Sequence, residues 1–120
     1  MCIGGAAVDR KYRALAPVRP GTSNPVTSER SFGGVARNVA ENIARLGAQV
    51  SMMTILGDDE NGRALLEDLK RLQIDTEQVT ILGGHATAEY VAVLQPDGDL
   101  AVGLANMAIF DSMTPPLLRK

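Results

Sequence analysis

Short apolar runs separated by polar turns, with one strong helical stripe among them, divide this chain into alternating strands and helices. Cys2 to Val8 is apolar, with Gly4 and Gly5 inside the run, and predicts a buried strand that ends at Asp9. Residues 13–32 differ: Pro17, Pro20, Gly21 and Pro25 lie among frequent Ser and Thr, which predicts loop with a short exposed strand. At roughly 20 residues this excursion is long for a plain connection, and long connections often carry function. After Gly33-Gly34, the residues Val35, Val39, Ile43 and Leu46 recur at helical spacing, with Ala36, Ala40 and Ala44 beside them. Arg37, Glu41 and Arg45 are expected to face away from that stripe, and Gly47 stands where a helix-terminating glycine belongs.

Val50 to Leu56 predicts a second buried strand. Gly57-Asp58-Asp59 follows, and either Asp can cap a helix carrying Leu65, Leu66, Leu69 and Leu72. One more strand is expected within Ile74 to Leu82. The order strand–helix–strand–helix–strand implies right-handed crossovers and a parallel sheet. The pattern then changes. Glu89–Leu94 and Leu100–Leu104 flank Pro96-Asp97-Gly98-Asp99, a hairpin signal. With the 13–32 excursion this hairpin is expected to form a small sheet beside the main one. At the end, Thr114 and Pro115 read as the N-cap and first residue of a helix, with Leu117 and Leu118 beginning its apolar face. Both chain ends are expected to fall within structured regions.

Composition narrows the function classes. Hydrophobic residues make up 45% of the 120 positions; with the 12 glycines counted, the apolar share suits a packed core and argues against disorder. No apolar run approaches the ~20 residues of a membrane-spanning helix. A net charge of -2 gives no basic excess for nucleic acid or an anionic membrane, and two Tyr and two Phe are a poor basis for stacking on nucleic-acid bases. One Cys, Cys2, excludes an internal disulfide, and one His, His85, excludes a His-rich metal cluster. The apolar N-terminus has its basic residues after it rather than before, unlike a signal peptide, so a cytoplasmic protein is expected.

Three features could carry chemistry. Gly33-Gly34 is either a tight turn or a place where a ligand approaches the backbone and the free N–H groups of a helix start. Its spacing is neither a phosphate loop nor a dinucleotide fingerprint. Asn38 and Asn42 share a helical face, and Asn38 lies one turn from the glycines; the two are either solvated or ligand-directed. Asp9 is either a turn former or, beyond a strand's carboxyl end, an acceptor for sugar hydroxyls. Asp58, Asp59 and Glu60 read as a helix cap rather than a cation site, His85 as a loop residue, Met52 and Met53 as core, and Cys2 as an inert buried thiol.

In combination these residues resemble a known family. Gly4-Gly5-Ala6-Ala7-Val8-Asp9 resembles the first-strand motif of ribokinase-like (PfkB-type) carbohydrate kinases. Gly33-Gly34-Val35-Ala36-Arg37-Asn38-Val39-Ala40, running on to Arg45-Leu46-Gly47, resembles their N-terminal signature, and Gly57-Asp58-Asp59 with Gly62 continues it. Ser23-Asn24-Pro25, Arg37-Asn38 and Asn106-Met107-Ala108-Ile109 resemble the pseudouridine-kinase branch.

The resemblance implies the N-terminal part of an α/β sandwich with a small β-sheet lid, with lid elements near 13–32 and 87–105. It implies Asp9 on sugar hydroxyls, backbone N–H groups of Gly33 and Gly34 against the sugar, Asn38 hydrogen-bonding it, Asn24 and Asn106 toward the lid side, and Arg37 as a mark of the branch. Two departures are notable. Ala7 stands where many members have an Asn that contacts the sugar, and Asn106 where pseudouridine-type relatives often have Asp.

Family members use ATP and Mg2+ and carry a Gly-Ala-Gly-Asp segment whose Asp is the base; these 120 residues contain no such segment. The expected function is therefore the substrate-binding portion of a kinase acting on a ribosyl hydroxyl of a sugar or nucleoside, pseudouridine among the candidates, and inactive alone. The alternative is a non-enzymatic remnant that binds a ligand or forms a homodimer through its lid.

Overall fold

The computed structural model describes residues 1–119. In chain order the elements are β1 (Cys2–Ile3), β2 (Ala7–Ala14), β3 (Val26–Gly33), α1 (Val35–Arg45), β4 (Met52–Gly57), α2 (Glu60–Arg71), β5 (Val79–Leu82), β6 (Glu89–Leu94) and β7 (Leu100–Asn106). Two 3-10 turns follow, at Ala108–Ser112 and Leu117–Arg119.

The expected parallel sheet is present, with order β1-β4-β5. All six residues of β4 are buried, as the central strand of a covered parallel sheet requires. Met52, Leu56, Leu65, Leu69, Val8 and Ala40 form the heart of the core. The second sheet has order β3-β2-β6-β7, with β2 antiparallel to β3 and parallel to β6, and β6 antiparallel to β7. The hairpin lies where the Asp-Gly turn predicts it. Arg10 anchors this sheet: its Nε meets Glu89 Oε1 at 2.5 Å, and its Nη2 donates to Asn61 Oδ1 of α2 at 3.1 Å. No helix among the described residues is long and apolar enough to cross a membrane.

Several expectations are corrected. The run Cys2–Val8 is not one strand. Gly4 adopts φ 143, a conformation that side chains resist, and the chain leaves the first sheet there. It enters the second sheet at Ala7, so Asp9 is the third residue of an eight-residue strand and not the end of one. The second sheet thus begins at 7 rather than 13. The excursion resolves into strand ends and β3, with the irregular loop confined to 15–25. Cys2 is a free, half-buried thiol rather than a fully buried one.

The stripe on α1 is also turned from its expected orientation. Val35, Val39 and Leu46 are exposed, whereas Ala40 is buried and Arg37, expected outside, is 5% exposed. Alanines let the helix lie close to the sheet: a side chain on Gly4 would stand 3.1 Å from Ala36 Cβ. The helix packs by Ala36, Ala40, Ala44 and Ile43, while Val35, Val39 and Leu46 of the same stripe stay outside.

Helix ends follow local rules. Gly47 N donates to Ala44 O at 2.9 Å and Ala48 N to Ile43 O at 3.3 Å, with Gly47 at φ 82, a Schellman motif. Asp59 caps α2 through Gly62 N at 2.8 Å. It also accepts from the Thr87 backbone N at 2.8 Å and from Thr87 Oγ1 at 2.6 Å, fastening the start of α2 to the segment that enters β6. Burial works to raise the Asp59 carboxyl, but these hydrogen bonds and the Arg63 charge hold it below its ordinary value. The helix start expected at Thr114 is, over the described residues, a 3-10 turn in which Thr114 O accepts from Leu117 N at 2.9 Å. Lys120 lies outside the described residues.

Candidate functional site

Strand pairing brings part of the predicted set together. Ala7 pairs with Gly33 and Asp9 with Ser31, so Asp9 lies beside the glycine pair at the open end of the β2–β3 hairpin. The Asp9 carboxyl lies over Gly33: a side chain there would overlap Oδ2 and stand 3.0 Å from Cγ. Glycine at 33 is thus the condition for Asp9 to occupy this place. Gly34 is the N-cap of α1, at φ 97 and ψ 134, with no side chain capping the helix. The first-turn N–H groups are left to backbone or ligand partners; that of Arg37 donates to Gly5 O at 3.3 Å.

Asp9 is half-buried. Burial pushes its carboxyl above the ordinary carboxylate value, and the Lys11 charge offsets only part of this. A partly desolvated carboxylate whose acceptor positions are not filled by the protein is suited to receive ligand hydroxyls.

Asn38 and Arg37 stand at the first turn of α1. Asn38 is exposed, and its Oδ1 accepts from Arg37 Nη1 at 3.2 Å, leaving the amide NH2 to face outward partners. Arg37 is a hub rather than an open ligand. Its Nη1 donates to Phe32 O at 3.4 Å and to Glu41, and its Nη2 meets Asp68 Oδ2 at 2.5 Å. Asp68, itself buried, also pairs with Arg71. Arg37 therefore ties the end of β3, Asn38 and α2 together.

Asn24 and Asn106 are not brought to this cluster. Asn24 sits in the 15–25 loop, where its amide is engaged by Arg19 N, Arg19 O and Thr22 O at 2.8, 2.9 and 3.0 Å. That loop follows Ala14, about 17 Å along β2 from Asp9 at ~3.3 Å per residue. Asn106 pairs with Glu89, in the row that contains Val8 rather than Asp9. Strand alternation puts it on the opposite face of the sheet from Asp9. Sequence reasoning missed Asp68, whose signal was its place on the Leu65–Leu69 stripe. It also missed Thr87, which no local pattern marks.

No group of three or more His, Cys, Asp or Glu among the described residues is placed to hold a metal ion.

The geometry has close counterparts. The chain is 31% identical over 98% of its length to the uncharacterized sugar kinase YeiI of Escherichia coli, and 28% identical over 97% to the pseudouridine kinase of the same organism. A carbohydrate kinase from Agrobacterium tumefaciens superposes on 98% of the chain with a TM-score of 0.87 and 31% identity. The chain spans 33%, 37% and 38% of these three proteins, about a third of each. The neighbours share the ribokinase fold, of which the two sheets here are the N-terminal part. The sequence pattern of the pfkB family carbohydrate kinases matches residues 1–117, and the chain belongs to that family.

Proposed function

We propose that this chain is the substrate-holding portion of an ATP-dependent kinase that phosphorylates a ribosyl hydroxyl of a sugar or nucleoside. Asp9 accepts hydrogen bonds from adjacent sugar hydroxyls. The backbone at Gly33 and Gly34 approaches the sugar, and Asn38 donates to it. Arg37 acts through Asn38 and Phe32 O as a positioning residue. Asn24 and Asn106 carry no role in this reading. The phosphoryl donor and the base belong to the portion of the relatives that this chain does not span, and ATP is available in the cytoplasm, the expected location. The observation that carries the reading is the half-buried Asp9 carboxylate, raised by burial, laid over Gly33.

The Asp9→Asn variant tests it by calorimetry with ribose and pseudouridine. Hydrogen bonds to a charged group contribute about 1.5–3 kcal/mol, so affinity is expected to fall about ten- to a hundredfold. Stability should move the other way. A raised folded-state value means that the folded protein holds the Asp9 proton more tightly than the unfolded chain. Stability then falls as pH rises from the unfolded value of 3.8 through the raised one, and the charged carboxylate remains a cost at neutral pH. Asp9→Asn should therefore melt at or above the wild-type temperature at pH 7 and match it below pH 3.8. Wild-type ligand affinity in this variant would sink the reading.

A second reading, pairing through the lid, is favoured by β7. It is an edge strand with Leu100, Val102 and Leu104 each about half exposed at alternate positions. Unpaired apolar edges invite strand pairing with another chain. Light scattering after gel filtration should give a dimer that Val102→Lys converts to monomer. A wild-type monomer at high concentration would remove this reading.

A further inference from the structure

The chain has few aromatics, and one of them lies beside Asp9. In the register of the second sheet, Ser31, Asp9, Tyr90 and Ala105 form one cross-strand row. Side chains in such a row share a face, with neighbouring strands about 4.8 Å apart. Asp9 and Tyr90 are therefore immediate neighbours on the face that carries the candidate site.

The Tyr90 ring is laid along the sheet rather than standing from it. Gly103 lies diagonally across on β7, and a side chain there would overlap the Tyr90 hydroxyl and stand 3.2 Å from Cζ and 3.5 Å from Cε2. The ring fills space that a larger residue at 103 would deny it. Around the pair on this face Ser31, Ala92 and Ala105 are small, and the one long neighbour is Lys11, two residues along β2 from Asp9 and opposite Ala92. The half-buried ring thus starts beside Asp9 on β6 and reaches away from it over β7, the direction in which a ligand gripped at Asp9 would extend across it.

We infer that Tyr90 is the stacking platform for the planar base of a nucleoside whose ribosyl hydroxyls are held by Asp9, making it a specificity-determining residue for nucleosides over free pentoses. The inference rests on the reading of Asp9 given above. A free sugar has no π-face for the ring to meet, whereas every nucleobase has one. Stacking on an aromatic side chain changes affinity by about ten- to a hundredfold per base. That is enough to separate a nucleoside from ribose at the same hydroxyl grip.

The test is a proton NMR titration of the 120-residue chain with pseudouridine, inosine and ribose, repeated with Tyr90→Ala and Tyr90→Phe. Upfield, saturable shifts of the Tyr90 ring protons are expected with both nucleosides and not with ribose. Tyr90→Ala should lose about ten- to a hundredfold in nucleoside affinity while its ribose affinity stays put, and Tyr90→Phe should restore the nucleoside preference. Dispersed amide signals in each variant exclude unfolding as the cause. Ribose binding with no ring shift from either nucleoside would overturn the platform and leave the Asp9 reading standing. Ring shifts that persist undiminished in Asp9→Asn would support the platform and remove Asp9 from the grip. Absence of binding by all three ligands would overturn both.

Discussion

Arg37→Met is expected to lower the free energy of unfolding by about 3–5 kcal/mol, a large part of the ~5–15 kcal/mol that holds a domain together. The guanidinium is almost fully buried, and its Nη2 sits 2.5 Å from Asp68 Oδ2, which is equally buried. Removing the cation leaves the Asp68 carboxylate inside the fold with only Arg71, a largely exposed side chain, to balance it. Truncating one partner of a buried pair costs far more than the pair itself contributes, because the remaining charge is desolvated and unpaired. Arg45→Met, which breaks only an exposed contact to Glu41, should cost less than about 1 kcal/mol. Urea unfolding followed by circular dichroism compares the two, and a loss under ~1 kcal/mol for Arg37→Met would overturn the argument.

The double variant Arg37→Met with Asp68→Leu sharpens the point. Arg37 Nε is buried without a partner, so even the intact network leaves one donor unsatisfied. Replacing both charges by apolar side chains removes the desolvation cost along with the attraction, and most of the lost stability should return. Ligand affinity should not return with it. The same guanidinium holds Asn38 Oδ1 and Phe32 O, and a methionine restores neither bond. The double variant thus separates the stability that Arg37 contributes from the positioning role proposed for it.

Much of this fold is written in local pattern. The β4 run, the Gly47 terminator, the Asp59 cap and the Asp-Gly hairpin each depend on residues within a turn or two of one another, and each lies where the sequence places it. What could not be read depends on distant partners. Nothing in Cys2–Val8 says that its two ends join different sheets; that follows from the partners, Met52 for Cys2 and Gly33 for Ala7. On α1 the alanines and Ile43 of the expected stripe do meet the core, but Val35, Val39 and Leu46 do not. Gly4 comes within a side chain's width of Ala36, so it is an alanine that meets the chain there. Arg37 turned inward because Asp68, 31 residues away, waits there. Of the candidate site, the nearness of Asp9 to Gly33 and the helix start at Gly34 agree with the motif. Asn24 and Asn106 were not placed by it, since loop reach and strand register are set by tertiary pairing.

The close approach that builds the site also predicts its weakest point. Gly34→Ala is expected to cost about 3–4 kcal/mol, from backbone strain and overpacking together. At φ 97 and ψ 134 the residue occupies a region that side chains avoid. An added Cβ would overlap Gly5 O and lie 2.9 Å from Ala6 Cα, so the obstacle is backbone and not a movable side chain. Relief requires α1 to retreat from residues 5–6, which breaks the Arg37 N bond to Gly5 O and draws the helix start away from Asp9 and Gly33. Gly47→Ala is the matched control. Its φ of 82 lies in the left-handed region, which alanine enters at a cost of about 1–2 kcal/mol, and nothing lies within 4 Å of the new methyl, so no packing cost is added. At roughly 3–4 °C per kcal/mol for a chain of this size, Gly34→Ala should melt about 9–16 °C below wild type and Gly47→Ala only about 3–8 °C below. Equal melting temperatures would show that the approach of α1 to residues 5–6 is loose. The proposed approach of the Gly33–Gly34 backbone to a sugar would then lose its fixed geometry.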